Sequence, residues 1–157
     1  MKARDALRNL LQQGSFRDVL DRYRERYGRG ASRQLASRYG VTQRTAQRAL
    51  SGDTRSPKFT RSEKFQADRA ADAVRHIHTA HAGEVSLVYD GDRDEGQRDI
   101  GDRDFDEGDL DEVAERLEAE DWDAAGDAMD AAILNQYGGL GDSNLTISDY
   151  ETGLSFD

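Results

Sequence analysis

The charges of this 157-residue chain are segregated along its length, and this limits the folds open to it more than any other feature. Residues 1–82 hold 18 Lys/Arg against 8 Asp/Glu, a formal +10, whereas residues 83–157 hold 4 against 24, a formal −20. The overall −10 and the pI near 4.8 average two unlike parts. Such asymmetry points to a basic unit that meets a polyanion, joined to an acidic unit with another task. Of the 22 basic residues 19 are Arg, which suits bidentate contact with phosphate and guanine. GC-rich coding or a salt-rich cytoplasm produces the same bias, so the Arg excess decides nothing alone.

The length supports one ordinary domain or two small ones with a modest core. Cysteine is absent, which removes disulfide frameworks and thiolate metal sites and suits a reducing compartment. No apolar run approaches the roughly 18–20 residues of a membrane span, and no apolar signal region opens the chain. The expected location is the cytoplasm, in association with the nucleoid.

Apolar residues then place the elements. Ala3, Ala6, Leu7, Leu10 and Leu11 repeat at helical period up to Gly14, and Ser15 caps a second helix with Phe16, Val19, Leu20, Tyr23 and Tyr27 on one face. A short helix over Ser32 to Tyr39 precedes Gly40, and another runs from about Thr42 to Ser51. Pro57 marks an extended stretch, and Thr60-x-x-Glu63 reads as a capping box for a helix reaching His81. Val85 to Tyr89 reads as a strand. Asp90 to Glu107, rich in Asp and Gly, reads as a mobile segment. Two helices follow, one carrying Leu110, Val113 and Leu117 and one running from Trp122 to Tyr137, and Leu145, Ile147, Leu154 and Phe156 suggest a closing strand or hairpin. No internal repeat is evident. The expected fold is mostly α: an N-terminal helical bundle with a helix-turn-helix, and a smaller acidic α+β C-terminal unit. The expected parts are a basic DNA-binding domain over 1–82, an acidic strand and mobile segment over 83–108, and an acidic helix-helix-strand unit over 109–157 for dimerisation or partner binding.

Residues 33–50 carry the sharpest motif. Ala36 lets two helices approach closely, Gly40 supplies a left-handed turn, and Thr42 is placed to cap the second helix. Leu35, Tyr39, Val41, Ala46 and Ala49 fall where a two-helix unit needs apolar contacts. Thr42, Gln43, Arg44, Gln47 and Arg48 then face outward. Arg and Gln match guanine and adenine edges in the major groove, so these five are the expected base-contacting residues. Arg33, Arg38, Arg55, Lys58, Arg61 and Lys64 surround them as expected phosphate contacts. The stretch Arg55-Ser56-Pro57-Lys58 also suits a basic strand along a minor groove. An ordinary helical hairpin with a solvated charged face is the bland alternative; the local +10 weighs against it.

The other motifs carry less. Of His76, His78 and His81 only the last two share a face on the expected helix, and no Cys completes a zinc set, so structural or surface roles are expected. Asp90-Gly91-Asp92-Arg93-Asp94 opens like a calcium loop, but Glu95 and Gly101 stand where that loop needs Gly and Glu. Neither metal nor cofactor is expected. The stretch Asp99 to Tyr137 resembles a ribbon-helix-helix dimer unit whose ribbon, Asp99 to Phe105, is too acidic to enter a DNA groove. The acidic half otherwise reads as a solubilising surface, as a brush against non-cognate DNA, or as a DNA mimic that occupies its own basic half. No P-loop, Gly-x-Ser-x-Gly or His-Glu-x-x-His motif is present, so hydrolytic chemistry is not expected.

The run Gly40 to Arg48, with Gly52 and the basic Pro-containing stretch after it, resembles the helix-turn-helix of the telomere terminal proteins of actinomycete linear chromosomes and plasmids. The tail is similar as well: two helices, Gly138-Gly139, Leu145 to Asp149, and a final apolar-acidic strand. The resemblance spans residues 30–157 loosely. It implies a replication factor that binds the ends of a linear replicon and offers a hydroxyl to the first nucleotide, with a telomere-associated protein and DNA polymerase as partners. That family's acceptor is a Thr after the central strand. Here no Ser or Thr follows Ser86 until Ser143, which leaves Thr79, Ser86 and Tyr89 as the fallback hydroxyls. The alternative expectation is a dimeric transcriptional repressor of a mobile element, acting on a palindromic site. Double-stranded DNA is the partner common to both, and a homodimer is expected of the second.

Overall fold

The computed structural model describes residues 1–12, 16–54, 57–91, 93–138 and 144–157. Gly14, Ser15, Arg55, Ser56, Asp92, Gly139 and Ser143, used in the sequence reading above, lie outside the described residues. The chain is mostly α with a small antiparallel sheet of four strands. The helices are α1 (Ala3–Asn9), α2 (Phe16–Tyr27), α3 (Ala31–Tyr39), α4 (Gln43–Ser51), α5 (Glu63–Val74), α6 (Asp111–Glu118) and α7 (Trp122–Gln136). The strands are β1 (Thr79–Tyr89), β2 (Arg93–Asp104), β3 (Leu145–Tyr150) and β4 (Ser155–Phe156). No helix among the described residues is long and apolar enough to cross a membrane.

Apolar burial falls into two clusters. Val19 and Leu20 of α2, Ala31 and Leu35 of α3, and Ala46, Ala49 and Leu50 of α4 close around Phe59 and Phe65. The second and larger cluster joins α1, the rest of α5, the sheet, α6 and α7, with Leu7, Val74, Val85, Ile100, Leu117, Met129, Ile133 and Tyr150 almost fully buried. Helix α5 belongs to both: Phe65 faces the first cluster, and Ala70, Ala71 and Val74 face the second. Because the two cores share a rigid helix, the basic and acidic parts are fastened at their apolar centres. The expected boundary after residue 82 falls inside β1, and α1 packs on α7 rather than with the other basic helices. Gly126 makes that packing close, since a Cβ there would lie 3.0 Å from the Arg4 backbone nitrogen.

Strand β1 is the sheet's centre. It pairs with β2 along one side and with β3 and then β4 along the other, all antiparallel. This arrangement corrects two expectations. Helix α5 stops at Val74 instead of reaching His81, because from Thr79 onward alternate residues turn inward (Ala80, Ala82, Val85, Leu87) and the backbone takes strand partners. The helix is capped by Ser62, whose side chain accepts from the Phe65 amide, and not by Thr60, whose hydroxyl donates to the Pro57 carbonyl at 2.6 Å.

The second correction concerns Asp90 to Glu107. Residues 93–104 form β2, with Ile100 as the one fully buried apolar anchor. The tandem stretches Asp94-Glu95-Gly96-Gln97-Arg98 and Asp99-Ile100-Gly101-Asp102-Arg103 form a short internal repeat. In each, the Asp carboxylate accepts from the amide of the Gly two residues on, at 2.7 and 3.0 Å, beside an irregularity in the β1 pairing. Such bulges with charged neighbours blunt an outer strand that would otherwise invite edge pairing. This strand is placed by backbone pairing and Asp caps more than by side-chain burial.

Candidate nucleic-acid interface

Helices α3 and α4 are joined by residues 40–42. Gly40 ends α3 in the left-handed region at φ 65°, and the Val41 amide donates back to the Ala36 carbonyl at 3.1 Å. Thr42 then takes an extended conformation, and its side-chain oxygen accepts from the Thr45 amide at 3.1 Å, as the sequence predicts for an N-cap. Helix α4 buries Ala46, Ala49 and Leu50, which leaves Gln43, Arg44, Gln47 and Arg48 exposed on its outer face. The five expected base-contacting residues are thereby brought together on one helix and its cap.

Their engagement differs. The Gln43 amide nitrogen donates to the Ser32 hydroxyl at 3.2 Å, and Ser32 is one of two buried polar side chains among the described residues. The side chains of Arg44, Gln47 and Arg48 have no hydrogen-bond or ion-pair partner among the described residues. No described carboxylate of the acidic part therefore occupies this face, which weighs against self-inhibition within one chain. The guanidiniums are held out in solvent while Ala46 and Ala49 hold the helix down.

The expected phosphate contacts separate further. Arg33, Lys58 and Arg61 are exposed and Lys64 is half-buried, and none of the four has a side-chain partner among the described residues. Arg55 lies outside the described residues. Arg38 is committed elsewhere: its guanidinium donates to both oxygens of Asp68, at 2.9 and 2.6 Å, and to the Glu118 carbonyl at 3.1 Å. Tyr39 donates to the same Asp68 at 2.5 Å, and burial together with that carboxylate raises its pKa far above the phenol value. Arg38 thus ties α3 to α5 and α6 and leaves the phosphate set.

Behind α4 stand two residues that sequence reasoning missed. Arg17 of α2 donates to the carbonyls of Ala49 and Leu50, both at 2.6 Å, and Arg24 donates to Leu50 as well. These are the last carbonyls of α4, where the helix dipole is negative. Nothing in local sequence separates these arginines from solvated ones, since their partners lie 26 to 33 residues away.

The histidines do not share a helix face. His76 and His78 lie between α5 and the sheet, the His76 ring contacts the Asp72 carbonyl at 2.8 Å, and His81 is on β1. The His81 ring meets Asp102 at 2.9 Å and Asp157 at 2.7 Å, and these two carboxylates raise its pKa. No group of three or more metal-ligating side chains forms among the described residues. The fallback hydroxyls all lie on β1: Thr79 donates to Asp104 at 2.8 Å, Ser86 donates to Glu151, and the Tyr89 ring carries Arg93 at 5.0 Å. In comparison with known proteins, the chain matches no family model, no curated protein and no solved structure.

Proposed function

We propose that this protein binds double-stranded DNA through a helix-turn-helix made by α3, the 40–42 turn and α4, with α4 in the major groove. The observation that carries the reading is the free row Arg44, Gln47 and Arg48 on a capped helix whose other face is buried. Leaving two guanidiniums unpaired in a chain with 32 carboxylates fits a face kept for an external anion. Arg44 and Arg48 are one turn apart and reach guanine edges, and Gln47 reaches adenine. Arg33, Lys58, Arg61 and Lys64 set the register on the phosphates.

Fluorescence anisotropy with duplexes selected from a random pool tests this. Arg44→Ala and Arg48→Ala each cost about 1–3 kcal/mol and relax the preference at one base pair. Arg61→Ala weakens binding evenly and lowers the salt slope by about 1. Unchanged binding in all three variants contradicts the reading.

In its narrower form the DNA is the end of a linear replicon and the protein is a replication factor like the telomere terminal proteins. The helix-turn-helix resemblance and the hydroxyl-carboxylate contacts of Thr79 and Ser86 on β1 support that form. Incubation with terminal DNA, polymerase and labelled nucleotide yields a covalent protein-nucleotide adduct if it holds. An internal palindromic footprint without adduct identifies a repressor instead.

A further inference from the structure

We infer that Arg17 and Arg24 are positioning residues for α4: they touch no DNA, and they set the angle at which its outer face meets the groove. The inference rests on the DNA-binding reading and adds the part of the protein that orients the reading helix. Three facts carry it. Helix α4 is anchored in the core only by Ala46, Ala49 and Leu50, two of them too small to fix a helix against rolling or tilting. The Arg17 fork spans two successive carbonyls, Ala49 and Leu50, at 2.6 Å each, and Arg24 adds a further donor to Leu50. A planar guanidinium bound in this way fixes direction as well as distance. Both arginines rise from α2, which is itself held by Val19 and Leu20 in the same core, so the angle is referred to a rigid element.

At the other end, the Thr42 cap and the bond from Gln43 to Ser32 hold the first turn of α4 against α3. The helix is thus fixed at both termini while its middle packs on small side chains. Rigid placement of this kind is what lets base contacts discriminate, because a bidentate pair tolerates little misalignment.

Arg17→Met and Arg24→Met, singly and together, keep the aliphatic stems and remove the forks. Anisotropy is measured on a duplex selected from a random pool and on its single-base mismatches, across a salt series, with circular dichroism recorded at the same temperature. The double variant is expected to keep the wild-type salt slope while its preference for the selected duplex over the mismatches falls about tenfold. Weaker binding with an unchanged preference shows that the forks only stabilise the fold, and overturns the inference. A salt slope reduced by about 1 per arginine shows direct phosphate contact, and overturns it too. Unchanged affinity and preference in both single variants and the double variant also overturn it. If the wild-type chain binds no duplex, the DNA reading fails first and the inference falls with it; if wild type binds and Arg44→Ala weakens it, only the positioning role is at stake.

Discussion

The basic and acidic parts of this molecule put charge to the same structural use with opposite signs. In the basic part guanidiniums satisfy carbonyls: Arg17 and Arg24 at the end of α4, and Arg38 at Glu118. In the acidic part carboxylates satisfy amides: Asp94 and Asp99 at the β2 glycines, Asp109 at Asp106, and Asp121 at the start of α7. A large share of each part's formal charge is therefore scaffold. The functional information lies in the charges left over, and in the basic part these gather on α4. Net charge counts both kinds alike, which is why it describes solubility and attraction better than it describes a site.

The comparison breaks first where a carboxylate is buried without a cation. Asp130 of α7 sits against β3, and Tyr150 donates to it at 2.5 Å. Burial raises its pKa from 3.8 to about 7, with Asp127 adding to the rise and the Tyr150 bond and Lys2 opposing it. The folded chain thus holds this proton more tightly than the unfolded chain. The associated stability is complete below pH 3.8 and is lost as pH climbs through about 7. Asp130→Asn keeps an acceptor for Tyr150 and removes the charge. Urea unfolding at pH 8 is expected to show a gain of roughly 2–4 kcal/mol over wild type, vanishing near pH 4. A loss at pH 8 would mean that the ionised form is the one the fold needs.

Next in size is the seam between the two parts. Asp68 keeps 11% side-chain exposure and relies on Arg38 and Tyr39. Arg38→Ala leaves that carboxylate without its cation and should cost about 1–3 kcal/mol in thermal or urea unfolding, reduced from the fully buried case because Arg38 is a third exposed. A neutral result would assign the seam to apolar contact through α5 alone.

Smaller effects compare the caps. Thr42→Ala in the basic part and Asp121→Ala in the acidic part remove equivalent side-chain bonds to helix amides, at 3.1 and 3.0 Å. Each is expected to cost about 1 kcal/mol, and only Thr42→Ala should also weaken DNA binding. The smallest effect belongs to His81, whose raised pKa comes from exposed bonds to Asp157 and Asp102. Its contribution is present below the ordinary imidazole pKa and is lost as pH rises through the raised one. The His81 ring shifts in a pH titration by NMR should move toward ordinary values in Asp157→Asn.

Much of this was legible in the sequence where local chemistry decides structure. Gly40, Thr42 and the Ala46–Ala49–Leu50 stripe announce α4 and its turn, and Trp122 to Gln136 announces α7. Strand β2 was hidden because its stabilisers are its neighbour's backbone and its own Asp carboxylates, with Ile100 the one fully buried apolar side chain in 12 residues. The turn after Val74 was hidden because Ala80 and Ala82 suit helix and strand alike until β2 and β4 are present to pair. Within the site, the free arginines of α4 were readable from helical spacing. The commitments of Arg17, Arg24 and Arg38 were not, because each depends on contacts 26 or more residues away.

The central claim is that the residual charge on α4, and not the overall +10, recognises DNA. The most direct measurement is the affinity of Arg44→Ala/Arg48→Ala for a selected duplex beside a charge-matched control, Arg26→Ala/Arg29→Ala, which removes two exposed arginines elsewhere in the basic part. The account predicts a loss of about 100-fold or more, together with the sequence preference, in the α4 variant. In the control it predicts a change of only a few fold, with the preference intact. Equal losses in the two variants would contradict it.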